Sequence, residues 1–137
     1  MELNTHLTFN GQCEEAFGFY ERCLGGKIVT MLTWADSPMA NEAPEGWSEK
    51  ILHATLTFGD NSLAGSDSFP GQYEGAKGFS ILVGTEDPAE AERIFQAMSE
   101  NGTVTMPLQK TFWAVLFGGL VDQFGIAWEI NCEQAPA

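Results

Sequence analysis

Two helical stripes in this sequence align at a shift of 75 residues, pairing Ala16 with Ala91, Phe19 with Ile94, Tyr20 with Phe95 and Cys23 with Met98. One inserted residue later, Gly26 and Ile28 fall against Gly102 and Val104. A period of this kind means that one supersecondary unit is built twice, so any fold has to place two equivalent pieces. A chain of 137 residues has room for one domain made of two such modules but not for two independent domains. The modules are expected at about 3–68 and 77–133, within a single domain spanning 1–137. Phe69 to Lys77, with Pro70, Gly71 and Gly75, would form the joint.

Each half supplies the same order of elements. Residues 5–10 alternate, with Leu7 and Phe9 on one face and His6 and Thr8 on the other, the period of a half-buried strand. Asn10-Gly11 breaks it, a helix over 14–24 closes at Gly25-Gly26, and 27–34 reads as a β-branched strand. The stretch 36–49, rich in Pro, Ala, Glu and Gly, is a predicted loop. Leu52, Ala54, Leu56 and Phe58 then alternate with His53, Thr55 and Thr57, and Gly59-Asp60 turns the chain into a hairpin strand over 61–65. In the second half, strands are expected over 79–83, 103–106, 114–121 and 126–131. Glu86-Asp87-Pro88 opens the intervening helix, and Asp122 to Gly125 forms a four-residue turn. The unit is βαβββ, written twice.

Charge narrows the partners. Six Lys plus Arg against nineteen Asp plus Glu give a net charge of −13, a field that repels phosphate backbones and anionic headgroups. Neither nucleic acid nor a membrane surface is therefore an expected partner. No apolar run approaches the roughly 20 residues of a membrane span, and nothing at the N-terminus marks export, so a cytoplasmic location is expected. Cys13, Cys23 and Cys132 are odd in number, and no neighbouring Lys or His in sequence would lower a thiol pKa. They read as buried small hydrophobes in a reduced compartment.

Particular motifs add a resemblance. Asn10-Gly11-Gln12-Cys13-Glu14-Glu15-Ala16 with Phe19-Tyr20 and Gly25-Gly26 is similar to the opening of the PhnB-like branch of the vicinal oxygen chelate superfamily. Gly65-Ser66-Asp67 fits its middle. Gln109-Lys110-Thr111-Phe112-Trp113, Phe117-Gly118 and Asp122-Gln123-Phe124-Gly125-Ile126-Ala127-Trp128 resemble its close. The superfamily includes glyoxalase I, extradiol dioxygenases, and bleomycin and fosfomycin resistance proteins. This branch also carries the label of a 3-demethylubiquinone methyltransferase. The resemblance implies an α+β fold in which two βαβββ modules form a curved, mainly antiparallel cup with helices outside, and a homodimer. It does not by itself imply methyl transfer, because neither Asn10-Gly11 nor Thr85-Glu86-Asp87 is a glycine-rich nucleotide-binding turn.

Metal-dependent members of the superfamily use His or Gln and carboxylate pairs on the cup floor to polarise vicinal substrate oxygens. The resemblance maps two of these positions, His6 in the first strand and Glu129 four residues beyond Gly125. The chain's other histidine is His53, so the second module supplies none, and 61–65 contains no carboxylate. The metal site, His6 with Glu129, is incomplete, and a divalent metal is the one cofactor the resemblance admits. His6 equally reads as a strand histidine hydrogen-bonded to a neighbour, and Glu129 as an outward strand carboxylate.

The candidate ligand-binding set is His6, Thr8, His53, Leu116, Gly118 and Glu129, with Glu129 as the candidate catalytic group. A four-residue turn sets Glu129 opposite Gly118, beside Leu116 and Leu120, and turns Trp113 and Phe117 away unless a bulge intervenes. Three functions remain open. The first is a metal-free small-molecule binder. The second is a metal-dependent lyase, isomerase or dioxygenase whose missing ligands come from substrate, water or Asp67. The third is an interaction module using the acidic loop 36–49.

Overall fold

A computed structural model describes residues 1–133. It divides into two compact units, residues 1–75 and residues from 76 onward. The expected chain-long domain runs to residue 137, and 134–137 lie outside the described residues.

The first unit contains β1 (Thr5–Phe9), α1 (Cys13–Leu24), β2 (Lys27–Thr33), β3 (Ile51–Phe58) and β4 (Asn61–Asp67). Its sheet runs β1-β4-β3-β2, with β1 and β4 parallel and the other pairs antiparallel. The alternation expected for β1 holds: Leu7 and Phe9 are buried, and Phe9 meets Phe17 and Tyr20 of α1. Leu7 pairs with Gly65, which pairs with Ala54, so these three share the helix side of the sheet. Gly65 is there for space, since a Cβ would lie 2.7 Å from the Phe17 ring. Gly25 ends α1 in the left-handed conformation, its N–H donating to the Glu21 carbonyl.

The predicted loop 36–49 contains one 3-10 turn, Ala40–Glu42, and it is tied down at its C-terminal end. The Trp47 indole donates to the Ser68 carbonyl at 3.0 Å, and Lys50 Nζ donates to the Gly11 carbonyl at 2.9 Å.

The second unit repeats the order with β5 (Ile81–Thr85), α2 (Pro88–Met98), β6 (Thr103–Gln109), β7 (Ala114–Val121) and β8 (Ala127–Glu133). Its sheet runs β5-β8-β7-β6, again with the first pair parallel. The two units are thus topological copies, each a four-stranded mixed open sheet with one helix, and the class is α+β. The helix opens at Pro88, within the predicted Glu86-Asp87-Pro88 start, and Asp87 caps it by accepting from the Ala89 N–H at 3.0 Å. Ala91, Ile94 and Met98 are buried beneath α2, which packs on β5, β7 and β8.

Three expectations need correction. The first strand of this unit begins two residues late, at Ile81, and Phe79 stays 44% exposed after Gly78 takes a positive φ. The strand that follows α2, β6, runs three residues beyond Met106 with two register shifts along it. The third correction matters most for function. The β7–β8 connection is one residue longer than a four-residue turn, because the Asp122 N–H donates to the Ile126 carbonyl and pairing resumes only at Val121 with Ala127. Glu129 therefore stands opposite Gly119, not Gly118. A one-residue slip reverses every facing across the pair.

Candidate functional site

Sheet alternation sends His6 and Thr8 to the face of the first unit turned away from α1, since Leu7 and Phe9 take the other. His53 and Thr55 of β3 share that face, Ala54 and Leu56 being buried on the helix side. His6 Nε2 lies 3.1 Å from Ser66 Oγ, and His53 Nε2 lies 3.3 Å from Thr55 Oγ1. The His6 pKa is lowered, first because partial burial penalises the charged ring and then because His53 adds a second positive charge. This group is a row of hydrogen-bonding side chains on one sheet face. It brings together His6, Thr8 and His53 of the predicted set.

Asp67, considered above as a source of a missing metal ligand, is already committed. Its Oδ1 accepts from the Cys13 N–H at 2.9 Å and its Oδ2 from the Ile51 N–H at 2.8 Å, tying the starts of α1 and β3 to the end of β4. The cysteines are buried and free. Burial, then Asp67 and Glu14, pushes the Cys13 thiol far up, so it is no nucleophile.

The second unit holds a concave feature, a pocket of about 280 Å³ on the sheet face turned away from α2. Glu129, Phe117, Gly119, Thr105, Met106 and Ser80 line it, and Leu120, Val121, Ala127 and Trp128 complete its wall. Register explains the grouping. Glu129 faces Gly119 across the β7–β8 ladder, and Phe117, two residues from Gly119, pairs with Asn131, two residues from Glu129. Met106 enters from β6 opposite Gly119. A Cβ on Gly119 would lie 2.9 Å from Thr105 Oγ1, so glycine is what opens the floor beside the carboxylate. Trp113 packs edge-on against Phe117 at 5.4 Å between ring centroids, and Phe112 against Trp113 at 4.8 Å, which extends the aromatic surface beyond the pocket.

The same register separates Leu116 and Gly118 from Glu129. Leu116 pairs with buried Cys132, Gly118 pairs with buried Ile130, and a Cβ on Gly118 would lie 2.7 Å from the Phe95 ring of α2. Both belong to the helix side, and their grouping with Glu129 was an artefact of the shorter turn. Phe117, expected to point away, is on the carboxylate's face. Sequence reasoning missed Ser80, Thr105 and Met106, which carry no motif. Phe117 and Gly119 were recoverable from a five-residue connection.

Glu129 is half-buried and has no hydrogen-bond or ion-pair partner among the described residues. No Lys, Arg or His lines its pocket. On the same face, Asn131 Oδ1 is buried without a donor among the described residues. Among the described residues no group of three or more His, Cys, Asp or Glu side chains is arranged to hold a metal ion. His6 and Glu129 lie in different units. Two donors do not fit a catalytic divalent centre, which takes three protein ligands or more.

The family model described as 3-demethylubiquinone-9 3-methyltransferase matches residues 1–131. Protein YjdN of Escherichia coli K12 is 30% identical over 139 residues, covering 96% of this chain and 95% of YjdN. The crystal structure of protein PA1353 from Pseudomonas aeruginosa is similar with a TM-score of 0.91 and 47% identity, over 98% of this chain and 99% of that one. A PhnB protein from Bacillus cereus superposes with a TM-score of 0.81 and 25% identity, over 96% and 99% of the two chains. A glyoxylase/bleomycin resistance protein/dioxygenase domain from Frankia shares the fold, with a TM-score of 0.65 at 13% identity over 98% of each chain.

Proposed function

We propose that this chain, which belongs to the 3-demethylubiquinone-9 3-methyltransferase family of PhnB-like, glyoxalase-fold proteins, binds a small molecule in the pocket beneath Glu129 without a complete metal site. The observation that carries the reading is the pocket itself: about 280 Å³, a mostly apolar wall, and a few polar side chains, Glu129, Ser80 and Thr105, among its lining. Such a composition binds by burying an apolar body and orients it through the carboxylate and the Ser80 and Thr105 hydroxyls.

Methyl transfer finds little support. The strand-to-helix connections are Asn10-Gly11-Gln12 and Glu86-Asp87, and each sheet is mixed, whereas a nucleotide-type cofactor usually sits on a glycine-rich turn at the end of a parallel sheet. The metal-dependent lyase, isomerase or dioxygenase reading needs donors that His6 and Glu129 do not supply between them.

A thermal-shift screen over metabolites, run beside elemental analysis of protein purified without chelators, tests the proposal. A ligand bound only by the folded state stabilises it by about 2.7 kcal/mol at a hundred times its Kd. The expected result is at least one such ligand whose shift is reduced in Glu129→Gln, with substoichiometric divalent metal. A stoichiometric metal, or a full set of ligands whose shifts ignore Glu129→Gln, would overturn it.

A further inference from the structure

Resting on that pocket reading, we infer that the ligand is a small organic cation with an aromatic or apolar body, an amine rather than an acid or a neutral compound. The charge balance of the pocket is one-sided. Its wall carries one ionisable side chain, Glu129, and no cationic side chain lines it. Glu129 has no protein partner among the described residues although it is half-buried.

A neutral ligand seated over Glu129 would strip water from the carboxylate and return nothing, which is the costly case for a buried charge. An anionic ligand would add repulsion to that loss. A protonated amine replaces the lost water with a charge-assisted hydrogen bond. The same cation gains from aromatic faces, and Phe117 lines the pocket with Trp113 packed against it.

Long-range charge acts in the same direction. A net charge of −13 on 137 residues draws cations toward the surface and holds anions off, and this contribution weakens as salt is added. The hydroxyls of Ser80 and Thr105 can accept the remaining N–H donors of an ammonium group. Met106 and Val121 offer apolar surface for its body.

Three probes of matched size decide the question: phenethylamine, phenethyl alcohol and phenylacetate, titrated near neutral pH into the ¹⁵N-labelled chain while amide shifts are followed. The ammonium is expected to perturb Thr105, Gly119 and Glu129 and to bind about tenfold tighter than the alcohol, with phenylacetate weakest. Glu129→Gln should bring the ammonium and the alcohol to within about twofold of each other. Phe117→Leu should weaken both, and unchanged amide dispersion establishes that each variant is folded. An alcohol that binds in this pocket as tightly as the ammonium, or a preference that survives Glu129→Gln, overturns the cation inference and leaves the pocket reading standing. Failure of every probe to shift these amides overturns both.

Discussion

Asp122 is the side chain on which the placement of the pocket depends, and its replacement by asparagine is a demanding test. It is 3% exposed. Its Oδ1 accepts from the Phe124 and Ile126 N–H groups at 2.8 and 3.0 Å, and its Oδ2 accepts from the Trp128 indole at 2.8 Å. An amide offers one oxygen where the carboxylate offers two, so at least one donor must face another donor. The least disruptive orientation keeps the two backbone donors and opposes the indole. That sets the buried indole N–H against an amide N–H, costing about 1–3 kcal/mol, and weakens the two retained bonds by removing their charge. Asp122→Asn should therefore lose about 2–4 kcal/mol, which at this chain length lowers Tm by roughly 10 °C. Urea unfolding followed by far-ultraviolet circular dichroism measures it. Trp128→Phe removes the indole donor, so the asparagine substitution should cost less in that background, with a coupling of about 1–2 kcal/mol. A loss below about 0.5 kcal/mol, or an equal loss in both backgrounds, would show that Asp122 does not hold the connection through the Trp128 indole.

Gly118→Ala puts a methyl group against the Phe95 ring and the Leu108 backbone, at 2.7 and 2.9 Å, and should cost about 1–3 kcal/mol in denaturant unfolding while ligand affinity per folded molecule is unchanged. Asp67→Ala strands the Cys13 and Ile51 N–H groups and should destabilise by about 1–3 kcal/mol, read from the same unfolding curves. The lowered pKa of His6 means that folding favours its neutral ring, so the stability it contributes is complete above 6.5 and is lost as pH falls through the lowered value. His6→Gln should accordingly flatten the loss of Tm on acidification from about pH 7 to about pH 5, a comparison that cancels the carboxylates common to both proteins. A homodimer is expected from the open sheet edges, and sedimentation that reports a monomer at every concentration would reject it.

Much of the fold was legible because it rests on local rules. Helix stripes, the Asp87-Pro88 start, the Gly25 stop and the facing of β1 follow from spacing and capping within one element, and the structure reproduces them. The repeat supplied the rest of the topology by copying one unit onto the other. The site was less legible because it depends on register between elements. Alternation says that Glu129 shares a face with Ala127 and Asn131, but which β7 residues join them turns on a single residue in the connection. Asp122 and Ile126 lengthen it through a hydrogen bond that no composition rule reveals. Thr105 and Met106 were hidden for a similar reason: β6 is irregular, with shifts flanking Met106, so its facing cannot be counted from its ends.

If the second unit holds a ligand pocket governed by Glu129, a crystal structure of the chain grown with the tightest ligand from the screen will show it. The ligand's polar group should lie within hydrogen-bond distance of the Glu129 carboxylate and its apolar body against Phe117 and Met106. A ligand found on the helix side of the sheet, beside Leu116 and Gly118, or one held elsewhere with Glu129 untouched, would contradict it.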